Sequence, residues 1–451
     1  MSEQPWKELI DLARQGSREQ LDEFVNSLSA ADIAWALERL DSEERREILA
    51  AMTPGAAADL IEEVPDVQSA ELIEELDTSQ AAAILNVLPS AYQADLVAAL
   101  PAHRAEAVLA AMDPEEARDA RLLGQYPPDV AGGIMVTEFL ALPETWTIEN
   151  VLDDLRRNAA RYSDYDVQYA YVTSSTGRLV GVLRLRDVVL TRADRRVTDV
   201  MIENPLSVRV DSPLARLSEF FTEHPFFGVP VVDEKGTLVG VVKRAATLDA
   251  VADQQVEDHL KAVGIVGGEE LRSMSVIVRS RRRLSWLSVN IILNIIAASV
   301  IAFFHETLAQ VIALAVFLPI ISDMSGCSGN QAVAVSLREL SLGVVRPFEI
   351  MHVAAKELFV GLMNGLVLGA LISIAGWLYA GNVWLGAVVG AALAINTVVA
   401  VLIGGTVPLL LRRRGMDPAL ASGPILTTVT DMCGFFLALG LASVMIDRLV
   451  A

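Results

Sequence analysis

Residues 423–434 read Gly-Pro-Ile-Leu-Thr-Thr-Val-Thr-Asp-Met-Cys-Gly and place one carboxylate, Asp431, in the middle of an apolar run. The run, residues 419–446, contains no other charged residue and exceeds the roughly 20 residues that cross a bilayer. A carboxylate at that depth is costly and by default indicates a functional site. Because no Lys or Arg lies inside any of the apolar runs, a buried ion pair is the weaker alternative, and we interpret Asp431 as a cation ligand.

Hydropathy around this run predicts five membrane spans: residues 284–304, 308–337, 358–380, 383–411 and 419–446. Arginine and lysine cluster before the first span, between the second and third, and between the fourth and fifth, whereas the other two loops carry none. The positive-inside rule therefore places residues 1–283 in the cytoplasm and the C-terminus outside. We predict that the chain crosses a bacterial-type inner (plasma) membrane several times.

The second predicted span is interrupted by Ser-Gly-Cys-Ser-Gly at residues 325–329. Pro319, Asp323, Asn330 and Gln331 add further polar or helix-breaking positions to the same run. Broken backbone at membrane depth is tolerated where it is buried in protein or lines a wet cavity, so we predict a broken helix beside an ion path. The alternative is that the small residues only let helices pack closely.

Charge is divided unevenly along the 451-residue chain. Residues 271–451 hold 8 acidic and 12 basic residues, a net charge of +4, whereas residues 1–270 hold 49 acidic and 24 basic residues, a net charge of −25. So acidic a surface disfavours nucleic acid as a partner and favours cations. Cys327 and Cys433 form no disulfide framework or metal-ligand spacing, and the polar residues 1–20 do not resemble a cleavable signal peptide.

A repeat of 12 residues runs through residues 30–118. Each unit closes on an apolar residue followed by Asp, Thr or Pro, which are residues typical of helix starts. The closing residues are Leu40, Met52, Val64, Leu76, Leu88, Leu100 and Met112. The repeat predicts an α-solenoid of short helices, and it says little about chemistry.

A second, longer repeat covers residues 135–260. Residues 135–138 are echoed by 201–204, the strand at 169–172 by 229–233, and the glycine-led strand at 177–183 by 236–242. Each half predicts a helix, a β-hairpin with a glycine in its turn, and another helix.

This repeat resembles a tandem pair of CBS domains, regulatory modules that often bind adenine nucleotides or divalent cations. In nucleotide-binding CBS repeats an Asp holds the ribose after a Gly-led motif, and the first repeat keeps Asp187 six residues after Gly181. The second repeat has Lys243 and Ala246 at the equivalent places. The resemblance therefore implies ATP or another adenine nucleotide in the first half, with Asp187 on the ribose, and no ribose acceptor in the second.

The order of acidic helical region, CBS pair, connecting helix and five spans resembles the MgtE-type magnesium channels over nearly the whole chain. The most specific matches are Gly-Asn-Gln at 329–331 and the segment 424–434. The chain departs from the family pattern in its second span, where residues 325–331 read Ser-Gly-Cys-Ser-Gly-Asn-Gln and Asp323 replaces a small residue, and at Gly423, where the family often has Asn.

The resemblance implies a multidomain protein: an α-solenoid at residues 1–130, an α/β CBS pair at 131–246, a connecting (plug) helix and linker at 247–275, and a bundle of five transmembrane helices at 276–451. It implies a homodimer in lipid, passive Mg²⁺ influx, and closure by cytoplasmic Mg²⁺. Asp431 would be the pore ligand for Mg²⁺, and Asp249, Asp253, Glu257 and Asp258 would be regulatory ligands. The other pore-lining candidates are Asp323, Gly329, Asn330, Gln331, Gly423, Pro424, Thr427, Thr428 and Gly434.

Three alternatives remain open. The chain could carry other divalent cations such as Co²⁺ or Mn²⁺, could export Mg²⁺, or could be a non-conducting membrane receptor for divalents or nucleotide. A CBS-containing intramembrane metalloprotease is disfavoured because its His-Glu-x-x-His motif is missing: the one His-Glu pair, His305-Glu306, is followed by Thr-Leu-Ala. We therefore predict a protein that is not an enzyme.

Overall fold

The computed structural model describes residues 4–450 except 163, 164, 166, 167, 263, 266–269, 272, 273 and 342, and it leaves out the side chains of residues 160, 262 and 420–422. Part of the predicted linker, within residues 247–275, therefore lies outside the described residues. The chain divides into two compact units, Met1–Gln254 and Gln255–Ala451.

The first part of unit 1 is entirely helical. Its helices are α1 Pro5–Gln15, α2 Arg18–Asn26, α3 Ala30–Glu38, α4 Ser42–Ala51, α5 Pro54–Glu62, α6 Asp66–Glu75, α7 Thr78–Leu85, α8 Ser90–Ala99, α9 Ala102–Ala111, α10 Pro114–Leu123 and the short α11 Ala131–Ile134. From α5 to α8, each helix packs mainly against the helix two positions further along, as α6 does against α8. The predicted helical repeat is confirmed.

The repeat has a direct physical cause at each helix boundary. All seven residues that close the units are buried and lie in one continuous apolar core. Asp41, Thr53 and Asp77 cap the next helix by accepting backbone N–H bonds, which satisfies donors that the helix start would otherwise leave unpaired. Pro65, Pro89 and Pro101 occupy the N-cap position of the helices that follow them.

The second part of unit 1 contains two small sheets. Its elements are β1 Leu140–Pro143, α12 Ile148–Arg157, α13 Ala159–Tyr162, β2 Tyr169–Thr173, β3 Leu179–Arg184, α14 Leu185–Leu190, β4 Ile202–Glu203, β5 Val208–Arg209, α15 Leu214–Glu223, β6 Gly228–Val232, β7 Leu238–Lys243 and α16 Arg244–Ala262, which continues into unit 2. The sheet orders are β1-β2-β3-β4 and β5-β6-β7. β2–β3 and β6–β7 are the two predicted hairpins, and Gly177 and Gly236 supply the positive φ of their turns.

The two halves of this repeat exchange their first segments. Met201 packs on Gly181 of β3, and Met135 packs on Gly240 of β7. A Cβ on either glycine would lie 2.3–2.5 Å from the methionine sulfur, so only glycine admits the crossing chain. Each half therefore completes its sheet surface with residues from the other, and the pair forms one body.

Unit 2 is built from long helices. They are α17 Val276–Phe303, the short α18 His305–Gln310, α19 Leu314–Ser341, α20 Ile350–Ala380, α21 Val383–Arg413, α22 Pro418–Val444 and the short α23 Ile446–Val450. Among the described residues, four stretches are long and apolar enough to cross a membrane: Val276–Phe303, Ile350–Ala380, Val383–Arg413 and Gly423–Val444. The fifth long helix, α19, has the required length but is not among them, so four of the five predicted spans are supported on length and composition.

The predicted break in the second span is wrong. α19 is helical from Leu314 to Ser341, with Pro319 inside it. The serine hydroxyls bond back to carbonyls of their own helix, from Ser325 to Ile321 and from Ser328 to Met324 at 3.0 Å, so the polar residues do not compete with the backbone ladder. The glycines make room for neighbouring helices instead of bending the chain.

Candidate functional site

Asp431 lies near the middle of α22, the helix that packs against α17, α19 and α21. The carboxylate is half-buried, and its Oδ1 accepts a hydrogen bond from Ser322 Oγ of α19. One carboxylate oxygen is therefore engaged by the protein, and Oδ2 is the oxygen left to face a ligand.

Asn396 of α21 holds the backbone next to Asp431. The residue is fully buried, and its Nδ2 donates to Ser325 Oγ of α19 at 2.6 Å and to the Thr430 carbonyl of α22 at 3.0 Å. A single amide thus connects three helices one residue away from Asp431.

Two of the predicted pore-lining glycines instead lie in helix–helix contacts. A Cβ on Gly434 would lie 2.7 Å from Asn396 Nδ2, and a Cβ on Gly329 would lie 2.7 Å from Leu426 Cδ1. Both glycines are buried, as is Pro424. For these three residues the packing alternative fits the structure better than pore lining.

The remaining candidates lie at or near the surface of unit 2. Asp323, Asn330 and Gln331 are exposed along one side of α19, and Thr427 of α22 is also exposed. Gly423 and Thr428 are partly exposed. The hydroxyls of Thr427 and Thr428 donate to the carbonyls of Gly423 and Pro424, at 3.0 Å and 2.7 Å, so each threonine presents its hydroxyl oxygen as an acceptor.

The predicted regulatory acids fall into two groups. In unit 1, Asp253 of α16 lies near Asp66 of α6 and near Asp249 of its own helix. Partial burial and these two carboxylates raise the pKa of Asp253. Desolvation by the surrounding protein and repulsion from Asp66 raise the pKa of Asp95 of α8 to about 6. By surface area Asp95 is an exposed residue, so solvent screens part of this effect. Four like charges thus converge on one surface.

In unit 2, the end of α16 lies beside the turn that precedes α22. Lys261 Nζ is 3.2 Å from Glu257 Oε1 and 3.4 Å from Asp417 Oδ2, and it links the two acids. Burial and the neighbouring Asp417 raise the pKa of Asp258. Within the described ranges, no three His, Cys, Asp or Glu side chains are grouped closely enough to hold a bare metal ion.

A small cleft of about 40 Å³, little more than the space of one water molecule, lies between the two CBS-like halves. Its walls include Tyr169, Tyr171, Phe227, Glu138 and Lys243. Asp187 is not one of its lining residues.

Asp187 lies in the first turn of α14, where its carboxylate is 3.3 Å from Arg184 Nε and 3.5 Å from Arg186 Nε. The structure therefore does not bring the predicted ribose ligand together with the aromatic cleft.

Sequence reasoning missed Ser322, Asp66, Asp95 and Asp417. Ser322 sits one residue before the notable Asp323, but the hydroxyl that reaches Asp431 depends on helix register. Asp66 and Asp95 belong to different helices of the repeat, and the repeat alone does not distinguish them from surface acids.

Three family models match the chain, and the residues they match follow the parts of the structure described above. Residues 318–441 match a model described as a divalent cation transporter, residues 28–129 match the MgtE intracellular N domain, and residues 130–194 and 197–253 match the CBS domain.

Curated relatives match the chain over long stretches. The magnesium transporter MgtE of Bacillus subtilis is 28% identical over 442 residues, which cover 98% of this chain and 97% of that protein. The magnesium transporter MgtE of Thermus thermophilus is 33% identical over 338 residues, 74% of each chain. Among solved structures, the cytosolic domain of the Mg²⁺ channel MgtE in complex with ATP is 29% identical with a TM-score of 0.48, and covers 53% of this chain and 98% of its own.

Proposed function

The chain belongs to the MgtE family of divalent cation transporters, and we propose that its cargo is Mg²⁺, carried passively into the cell through a homodimeric pore that cytoplasmic Mg²⁺ closes. It is a multi-pass membrane protein with a helical N-terminal region and a CBS pair.

The main support for a pore is the exposed polar side of α19. Asp323, Asn330 and Gln331 are open to the surroundings at the middle of a helix whose neighbours are membrane-spanning. Lipid offers these groups no hydrogen bonds, and intramembrane ionisable residues almost always face a bundle interior or a wet cavity. A second copy of the chain, facing the first across a twofold axis, would cover this side and enclose water between the two copies of α19 and α22.

Asp431 suits Mg²⁺ in such a pore. Mg²⁺ is small, prefers octahedral geometry and loses water reluctantly, so proteins usually bind it through retained waters and one or two carboxylates. Two copies of Asp431 across the axis would supply two carboxylates, and Oδ2 of each would accept hydrogen bonds from the ion's water shell. The permeating cation would neutralise both charges, which relieves the cost of burying them.

The gate is supported by the two acidic groups along α16. Asp249 and Asp253 share a surface with Asp66 and Asp95, and their mutual repulsion opposes this packing unless a cation screens it. Mg²⁺ held there through water would stabilise the arrangement, and its loss would release α16. In unit 2, Glu257 and Asp258 lie beside Asp417, and a cation would relieve the repulsion among these acids in the same way.

The orientation follows from charge. Arg281, Arg282 and Arg283 precede the first span, and Arg412–Arg414 precede the last, so both ends belong on the cytoplasmic side. The C-terminus, after an odd number of spans, then lies outside the inner membrane.

A second candidate function is nucleotide sensing at the CBS pair. The cleft is lined by three aromatic rings, Tyr169, Tyr171 and Phe227, and by a cation, Lys243; at about 40 Å³ it must widen to admit a nucleotide. Stacking on aromatic faces and a nearby cation suit an adenine nucleotide. Isothermal titration with ATP, on the wild type and on Phe227→Ala, tests this; equal heats from the two proteins would exclude the cleft.

The main test is Mg²⁺ uptake into proteoliposomes, paired with growth of a bacterium that needs added Mg²⁺. We expect wild type to conduct Mg²⁺ and to restore growth, and Asp431→Asn to do neither. Asp447→Asn, an exposed carboxylate on α23, is the matched control and should behave as wild type. Full activity of Asp431→Asn would refute the pore ligand, no uptake by wild type would favour a receptor, and faster uptake of Co²⁺ or Mn²⁺ would change the cargo.

A separate test addresses the gate. Limited proteolysis of the full protein in millimolar Mg²⁺ should protect α16, and Asp253→Asn should weaken that protection. Identical cleavage with and without Mg²⁺ would contradict the regulatory proposal while leaving the pore untouched.

A further inference from the structure

Asn396 is an unusual residue for the core of a membrane unit. It is fully buried on α21, and its Oδ1 has no hydrogen-bond partner among the described residues. The amide cannot simply be turned over, because the oxygen would then face the Thr430 carbonyl, an acceptor meeting an acceptor. A buried, half-satisfied amide is less favourable than an apolar side chain of the same size, so packing alone does not account for it.

The bonds that Asn396 makes converge on Asp431. One goes to the carbonyl of Thr430, the residue before Asp431, and the other to Ser325 of α19, one helical turn from Ser322. Ser322 in turn donates to Asp431 Oδ1. Asn396 therefore fixes the α19–α22 spacing at the level where Ser322 must reach the carboxylate.

The contacts leave Asn396 little freedom. Gly434 of α22 lies so close that a Cβ there would meet Asn396 Nδ2 at 2.7 Å and Ile321 Cγ2 at 3.3 Å. Thr430 is also fully buried. α19 and α22 thus hold the amide between them, and it moves only if one of these helices moves.

We propose that Asn396 is a positioning residue that makes the pore discriminate Mg²⁺ from Ca²⁺; this rests on the proposed function. With Oδ1 held by Ser322, each Asp431 presents one oxygen, which suits water-mediated contact to a hydrated octahedral ion. Ca²⁺ has a flexible shell and accepts carboxylates through both oxygens. Releasing the carboxylate would therefore favour Ca²⁺ over Mg²⁺.

The experiment measures Mg²⁺ and Ca²⁺ uptake in the same proteoliposomes containing the full chain. The ratio of the two rates does not depend on how much protein is active, so a merely structural defect leaves it unchanged. The variants are Asn396→Leu, which keeps the branched shape, and Ser325→Ala, which removes one acceptor and disturbs the fold less. Asn364→Leu, the same change at a half-buried position of α20, is the matched control.

We expect the Ca²⁺ to Mg²⁺ ratio to rise about tenfold or more in Asn396→Leu, the scale on which outer-shell partners of metal ligands change affinity. Ser325→Ala should move the ratio in the same direction, and Asn364→Leu should not move it. If Asn396→Leu fails to fold, Ser325→Ala decides. An unchanged ratio with measurable Mg²⁺ flux overturns this inference alone, whereas wild-type flux in Asp431→Asn overturns the pore itself.

Discussion

Replacing Gly434 by alanine tests whether this glycine serves helix packing or pore lining. The new methyl group would lie 2.7 Å from Asn396 Nδ2, well inside the 3.4 Å at which ordinary contact begins. Overpacking of this kind costs about 1–3 kcal/mol, and displacing Asn396 adds about 1 kcal/mol for a lost hydrogen bond. The better helix propensity of alanine returns about 1 kcal/mol. The net loss is about 1–3 kcal/mol.

For a unit of about 200 residues, each kcal/mol lowers the melting temperature by about 2–4 °C. We therefore expect Gly434→Ala to melt about 2–12 °C below wild type when thermal unfolding is followed by size-exclusion chromatography in detergent.

Gly326→Ala is the matched control, because it is the same substitution in a neighbouring long helix and nothing lies within 4 Å of the new methyl group. It should melt at or slightly above the wild-type temperature, since alanine is the better helix former. Equal melting temperatures for Gly434→Ala and wild type would refute the packing argument. If Gly434→Ala melts at the wild-type temperature but no longer supports Mg²⁺ uptake, Gly434 would be assigned to the pore lining after all.

Three further predictions concern residues of unit 1 and the end of α16. The raised pKa of Asp95 means that its contribution to stability is fully present below its ordinary pKa of 3.8 and is lost as the pH rises through about 6. Without Mg²⁺, the melting temperature should therefore fall between about pH 4 and pH 6 more in wild type than in Asp95→Asn. The Glu138 carboxylate accepts hydrogen bonds from Ser90 N and Oγ, both at 2.8 Å. Glu138→Ala should therefore lower the free energy of unfolding by about 1–3 kcal/mol and speed hydrogen exchange at the start of α8, and unchanged exchange would contradict this contact. Lys261→Met removes the cation beside Asp417 and should lower the Mg²⁺ concentration that half-protects α16 from protease, whereas Lys235→Met, on an exposed hairpin turn, should not.

Local sequence patterns were sufficient to predict the elements that depend on residues close together in the chain. The 12-residue repeat predicted the boundaries of successive helices, because each boundary needs an apolar closing residue and a capping residue, as at Leu76 and Asp77. The two hairpins followed from Gly177 and Gly236, whose turns need positive φ. In both cases the deciding residues are neighbours in the chain.

The site depends on contacts between distant residues, and the sequence predicted it only in part. Asp431 stood out because a single charge interrupts an apolar run. Ser322 lies 109 residues before Asp431, and its hydroxyl meets the carboxylate only through the register of α19 against α22. The break predicted in α19 was wrong for a related reason: serine and glycine break helices in water, but in a packed membrane bundle the serine hydroxyls bond to their own helix and the glycines admit neighbours.

The polarity of α19 is sorted by face, and this sorting argues that lipid does not surround the helix. Ser325, Ser328 and Ser336 are buried and bond to backbone carbonyls, so their hydroxyls are satisfied within the unit. Asp323 and Asn330, in contrast, point away from the rest of the chain. The serines would be tolerated in any membrane helix, whereas a row of carboxylate and amide groups facing outward would not. The feature that removes α19 from the set of apolar helices is therefore the feature that requires a wet surface beside it, next to the helix that carries Asp431.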